Sequence, residues 1–282
     1  LDGRCTPHSD WLSWLEYVQG GPGPSGRGLT VLDDIVGQVL DRAFLAPGDS
    51  VLDLGAGTGA VTFGAARRVG SSGSVVAVDS DPDCLSELSR RAAGRAVENL
   101  TTVRAGLEEL PFTPGSFDAV VCRSALVYTD DPDAAAEMMS RVLRRGGRFS
   151  FFEPLPGESS WEGPEEIVGG AVSEMERALK ESGGARAFDR SALRRALRRQ
   201  RFDLSSLVVA YNISMKDRPV DEIANEYLFD LPSGLSAFDV LKKAGYAEDR
   251  IVGAAMELAQ AVAAGLVVGR LPCIFAWGVK PR

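Results

Sequence analysis

Apolar positions along the chain switch between two periods. Trp11, Trp14, Leu15 and Val18 recur at helical spacing and predict a short helix with an aromatic face. The Gly/Pro/Ser cluster from Gly20 to Gly28 reads as a loop or hinge. Val31, Ile35, Val36, Val39 and Leu40 then give the stripe of a second helix from Thr30 to Phe44, with Thr30 able to cap it. After Pro47-Gly48 short apolar runs alternate with helical stretches. Strands are predicted at Ser50–Leu54, Ser74–Asp79, Thr101–Arg104, Phe117–Cys122, Arg148–Phe152, Leu204–Ala210 and Leu271–Val279. Between them, helices are predicted from Gly59 to about Val69, from Asp83 to Val97 and from Asp133 to Leu143. Further helices are expected over Gly163–Ser182, Asp189–Gln200 and Asp221–Phe229.

Strands alternating with helices of this length predict an α/β chain built on a seven-stranded, mostly parallel, doubly wound sheet covered on both faces. No break in composition demands a second domain. The reading is an N-terminal helical cap over residues 1–46 and a core over 47–282, with helical segments at 157–185 and 212–268, the latter an insertion near the C-terminus. The apolar stretch Ala254 to Val268 contains Glu257 and Gln260, so it predicts a buried or amphipathic helix rather than a membrane span.

Charge and cysteine use narrow the class. A net charge of -8 argues against a dedicated nucleic-acid binder, whose footprint is basic. The Arg190–Arg201 stretch is the one basic cluster, and without interleaved aromatic residues it reads as a solvated helix face. Cys5, Cys84, Cys122 and Cys273 form no C-x-x-C pair, and with the single His8 they make no metal-ligand set. Reduced thiols, a cytoplasmic location and no membrane segment are the expectation.

The chemistry centres on Val51–Gly59, V-L-D-L-G-A-G-T-G. A strand that enters a helix through glycines leaves backbone N–H groups open and lets a ligand approach the main chain. Gly55-Ala56-Gly57-Thr58-Gly59-Ala60 also satisfies the dinucleotide pattern G-x-G-x-x-A, with Asp79 at the spacing of a ribose-binding acid. Asp53 separates the two. An acid inside an apolar strand needs a partner, and a cation suits it where a phosphate would be repelled. A cofactor with an ammonium, a sulfonium and a ribose but no phosphate, S-adenosylmethionine, meets that requirement.

Five blocks in order, Val51–Gly59, V-V-A-V-D ending at Asp79, Leu110-Pro111-Phe112, S-F-D-A-V-V from Ser116 and V-L-R-R-G-G-R-F from Val142, resemble the class I S-adenosylmethionine-dependent methyltransferases. Their spacing is similar to that of the UbiE-like small-molecule group over residues 48 to 153. The resemblance implies a Rossmann-like fold and methyl transfer to O, N or C of a small-molecule acceptor, with natural-product biosynthesis the expected setting. It implies that Asp53, Gly55, Ala56, Gly57, Thr58 and Gly59 wrap the methionine part, that Asp79 with Ser80 holds the ribose, and that Gly106, Leu107 and Glu108 flank the adenine. Arg123 and Ser124, just after the fourth strand, would face the methionine end. The family usually carries an Asp at the position of Gly106; the backbone of Leu107 or the Glu108 carboxylate is the substitute.

The acceptor side is less sharply marked. Tyr128, Glu153 and His8 are the candidate bases, each with a competing structural reading: a pocket wall, a structural carboxylate and an exposed imidazole. Trp11, Trp14, Tyr17 and Tyr128 are candidates for stacking on the acceptor. A second reading keeps the cofactor site without methylation, as a structural prop or in a rearrangement catalyst. An NAD-dependent enzyme is the third, and Asp53 disfavours it.

Overall fold

A computed structural model describes residues 28–129, 131–213, 215–229 and 236–282. The described residues fall into two compact units, one built on residues 28–154 with Arg190–Val209 and Ile274–Arg282, the other on Leu155–Asp189 and Ala210–Cys273.

The first unit contains the parallel sheet. Helix α1 (Gly28–Arg42) precedes β1 (Ser50–Leu54), followed by α2 (Thr62–Val69), β2 (Ser74–Asp79), α3 (Pro82–Gly94), β3 (Leu100–Arg104) and β4 (Phe117–Arg123). Helix α4 (Pro132–Val142) leads into β5 (Leu143–Pro154). Strand order is β3-β2-β1-β4-β5, each neighbouring pair parallel, so the C-terminal ends of five strands lie along one edge. β8 (Val268–Val279) follows β5, and β7 (Asp203–Ile213) pairs with β8.

Apolar runs explain the centre of this sheet. Val51, Leu52, Ala119, Val120, Val121, Phe149 and Phe151 are all without exposure, as expected of strands covered on both faces. Phe149 stacks on Phe151 at 5.0 Å and meets Phe202 edge-on at 4.8 Å. Helix α1 lies against β4 and β5, with the Arg42 guanidinium over the Phe275 and Trp277 rings.

Two helices after the strands start by the same device. Asp81 precedes Pro82 and accepts from the N–H groups of Asp83 and Cys84; Asp131 precedes Pro132 and accepts from that of Ala134. The aspartate satisfies donors that have no partner within the helix, and proline suits its first turn. On α7 (Arg190–Arg199), Leu193, Ala196 and Leu197 are buried while Arg194, Arg195 and Arg198 are exposed, so the basic cluster is a solvated face.

The second unit has its own apolar core, made by α5 (Glu165–Val168), α6 (Gly170–Glu181), α8 (Val220–Phe229), α9 (Ala237–Lys243) and α10 (Glu248–Ala263). One helix was expected over Gly163–Ser182, but Gly170 takes φ 53° and the chain restarts there, splitting α5 from α6. A short strand that carries no alternating pattern, β6 (Ser160–Glu162), pairs antiparallel with Val268–Arg270 and makes eight strands among the described residues where seven were expected. Helix α10 buries Ile251, Ala254, Ala255, Leu258, Ala259, Ala261 and Val262, which explains the apolar C-terminal stretch. No helix among the described residues is long and apolar enough to cross a membrane.

The aromatic layer yields a stability prediction. Phe149→Ala removes a fully buried ring with two ring neighbours and should cost about 3–5 kcal/mol. A urea midpoint unchanged from the parent would show that this layer is not part of the core.

Candidate functional site at the strand ends

The chain leaves β1 through a turn that only glycine fits at two points. Gly55 has φ 64°, and a Cβ there would stand 2.2 Å from the Cβ of Ala125. Gly59 has φ 99°, and a Cβ there would stand 2.5 Å from Leu88 Cδ1. Left-handed backbone and absent side chains together bring the turn against its neighbours. Ala56 and Thr58 are buried between these glycines.

The turn is tied to the end of β2. The Gly57 N–H donates to Asp79 Oδ2 at 2.8 Å, and the Asp81 N–H donates to Oδ1 at 3.0 Å. Burial raises the Asp79 carboxyl above its ordinary pKa, and the bonds from Asp81 and Gly57 oppose that. Ser80 is exposed, and its carbonyl accepts from Arg104 Nε at 3.1 Å. Beyond β3, a Cβ on Gly106 would lie 3.6 Å from Glu108 Oε2. The Glu108 carboxylate therefore stands beside the place that a side chain at 106 would fill, with the Thr129 hydroxyl donating to Oε1. Leu107, between them, is half-buried.

Asp53, buried within β1, accepts from Thr62 Oγ1 at 2.6 Å. Among the described residues that hydroxyl is its only hydrogen-bond donor. Burial pushes its pKa up to about 7, the Thr62 bond and the more distant Arg123 charge pulling the other way. Arg123, at the end of β4, is itself lowered by burial, with Tyr128, Glu153, Cys122 and Asp53 acting to raise it.

Glu153 is fully buried at the end of β5. Its Oε1 accepts from the N–H groups of Ala125 and Leu126, each at 3.1 Å, and from Cys122 Sγ at 3.3 Å; its Oε2 accepts from the Val127 N–H at 3.1 Å. Burial pushes the Cys122 thiol well up, keeping it a donor, and pushes Glu153 up to about 7. Four donors of its own neighbourhood occupy this carboxylate, so its contacts fix backbone. Ser124 takes φ 55° in the segment so held, and its N–H donates to the Phe152 carbonyl at 2.8 Å. Tyr128 closes the following 3-10 turn, half-buried.

The edge of the sheet thus gathers Asp53, the turn from Gly55 to Gly59, Asp79, Ser80, Gly106, Leu107, Glu108, Arg123, Ser124, Tyr128 and Glu153. His8, Trp11, Trp14 and Tyr17 lie outside the described residues. Thr62 and Thr129, which hold Asp53 and Glu108, went unnoticed in the sequence. Thr62 had a signal, a β-branched hydroxyl at the start of a helix nine residues after a buried acid. Thr129 had none, since its partner is 21 residues away.

Residues 51–147 match the family model described as "Methyltransferase domain". The chain is 33% identical over 118 residues to the aklanonic acid methyltransferase DauC of Streptomyces sp. (strain C5), covering 42% of this chain and 54% of that protein. It is 38% identical over 118 residues to the ubiquinone/menaquinone biosynthesis C-methyltransferase UbiE of Hahella chejuensis, covering 40% and 46%. The chain spans about half the length of these curated relatives. In fold it is similar to the YcgJ protein of Bacillus subtilis, with a TM-score of 0.60, 20% identity, and coverage of 88% of this chain and 99% of that one.

Two outcomes follow from the buried carboxylates. Glu153→Gln places an NH2 group against backbone donors, leaving at least one buried N–H without an acceptor. It should cost about 1–3 kcal/mol in denaturation, whereas a silent change would remove Glu153 as the anchor of this segment. Asp53 and Glu153 both titrate at about 7 when folded and, as ordinary carboxyls, at about 4 when unfolded. Their contribution to stability is whole below the unfolded value and is lost as pH rises through the folded one. Glu87, lowered to about 2, is ionised in both states across that range. The melting temperature should therefore fall from about pH 5.5 to about pH 8, and fall less in Asp53→Asn. An equal fall in both proteins would overturn the assignment to Asp53.

Proposed function

We propose that this chain, whose residues 51–147 form a methyltransferase domain, binds S-adenosylmethionine at the strand ends and transfers its methyl group to an O, N or C atom of a small molecule. We place it in specialised metabolism and in the cytoplasm. The observation that carries the reading is Asp53, a buried carboxylate beside the glycine turn to which the described residues supply one hydroxyl and no bonded cation. Burying such a group is costly without a counter-charge. A ligand with an ammonium and a sulfonium supplies it, and a diphosphate would be repelled.

The other contacts fit the same ligand. Asp79 uses one lone pair on each oxygen for backbone N–H groups, so each oxygen can still accept from a ribose hydroxyl. Thr129 ties one oxygen of Glu108 and leaves Oε2, next to Gly106, to accept from an adenine amino group. Arg123 and Ser124 would meet the methionine carboxylate. When bound, the cofactor supplies a methyl on a positively charged sulfur, already reactive toward a nucleophile. The chain's own task is alignment, bringing the acceptor atom to roughly 3–3.5 Å of that methyl. Glu153, committed to backbone N–H groups, acts by holding Ala125 to Val127 in place. Tyr128 is left as a wall of the acceptor space or a hydrogen-bonding group toward it.

S-adenosylhomocysteine at about 100 times its Kd should stabilise the chain by about 2.7 kcal/mol, while NAD should not. Stabilisation by NAD alone would sink the proposal. In calorimetry Asp79→Ala should weaken S-adenosylhomocysteine by about tenfold or more, as expected for lost bonds to a charged acceptor. Transfer of labelled methyl to a small molecule from an extract of the source organism would support catalysis. Tight binding without any transfer would favour a non-methylating use of the cofactor.

A further inference from the structure

The helical unit holds a cavity of about 480 Å³ between β6 and one face of α6, within the range of small-molecule sites. Trp161, Val168 and Val172 form its apolar side. Ser173, Glu176 and Lys180 stand opposite, at the three- and four-residue spacing of a single helix face.

Glu176 is set up in an unusual way. Its Oε1 accepts both from Trp161 Nε1 at 3.2 Å and from the Tyr227 hydroxyl at 2.9 Å. Burial, and then the charge of Glu176, push the Tyr227 phenol well above its ordinary pKa, so it remains a donor. The two rings meet edge-on at 6.1 Å and immobilise the carboxylate from behind. Both fixed bonds fall on one oxygen, which leaves Oε2 for a further donor. Lys180 Nζ donates to the Ser159 carbonyl at 2.6 Å and holds the mouth of β6. The charges on the lining, Arg177 and Lys180 against Glu176 and Glu181, cancel in sign. A balanced lining selects a neutral ligand over an ammonium or a carboxylate, and a flat apolar wall beside an indole selects a ring.

We propose that this cavity is a binding site for a neutral hydroxylated aromatic compound, its ring against Trp161 and its hydroxyl donating to Glu176. The site lies wholly within the helical unit. It stands independently of the cofactor reading, and its test needs no cofactor.

The test uses the full chain and two probes of the same shape, 2-naphthol, which donates, and 2-methoxynaphthalene, which only accepts. The parent should bind 2-naphthol and prefer it to 2-methoxynaphthalene by about tenfold, as a hydrogen bond to a charged group implies. Glu176→Gln keeps an oxygen for Trp161 and Tyr227 and turns an NH2 toward the cavity. That variant should fold with the parent's melting temperature and lose most of the preference, because its NH2 can donate to the oxygen of either probe, which a purely structural Glu176 would not do. Trp161→Leu should weaken both probes together. Absence of 2-naphthol binding to the parent, an unchanged preference in Glu176→Gln, or tighter binding of 2-naphthylmethylammonium than of 2-naphthol would each overturn the proposal.

Discussion

A carboxylate cut off from water must be matched by donors, and at Glu153 the donors are the main chain itself. Three consecutive N–H groups, from Ala125 to Val127, and one thiol converge on its two oxygens. Once those groups point inward, the path of the backbone after β4 is settled. Ser124 is forced into left-handed geometry to enter it, and the Ala125 methyl is brought onto the turn after β1. Position 55 then has no room for a side chain. The most restrictive demand in the glycine turn thus originates in an acid nearly a hundred residues away in sequence.

The same region concentrates charge without water. Asp53, Asp79 and Glu153 are all raised by burial, and Arg123 is the cation whose field reaches Asp53. Desolvation is the leading cause at every one of these groups, and it exceeds what their neighbours return. An edge arranged this way is short of positive charge, and the shortage is greatest where Asp53 has only a hydroxyl beside it. The proposed preference for a cationic ligand rests on that imbalance more than on any single contact.

Much of this could be read from the chain alone, for identifiable reasons. The strands at Ser50 and Ser74 were legible because both sheet faces are covered, so each shows as an unbroken apolar run between turn residues. Helix starts expected at Asp83 and Asp133 fall one residue from those observed at Pro82 and Pro132, because the capping by Asp81 and Asp131 is local. The lone acid of β1 stood out against its apolar neighbours, and its burial followed. What could not be read depends on distant pairs. Glu153 looks like any acid closing a strand until residues 26 to 31 positions earlier fold onto it. β6 is three residues long and exists only because Val268 to Arg270 runs beside it. The split between α5 and α6 did have a local cause, the Gly169-Gly170 pair, which the apolar spacing on either side concealed.

The different kinds of constraint also fit a family-model match confined to residues 51–147. Within that stretch the demands are on backbone: left-handed turns, a methyl against a glycine, N–H groups aimed at an acid. Few residue types satisfy each of them. The helical unit is held by side-chain volume instead, with Met175, Leu179, Leu228, Leu241 and Leu258 filling one core. Cores of that kind accept many apolar substitutions if total volume is kept. Sequence there can drift while the fold persists, and polar groups such as Glu176 can be introduced at the edge of the core. A scaffold whose strand ends are tightly prescribed and whose helical part is loosely prescribed can keep one cofactor chemistry while its recognition of other molecules changes.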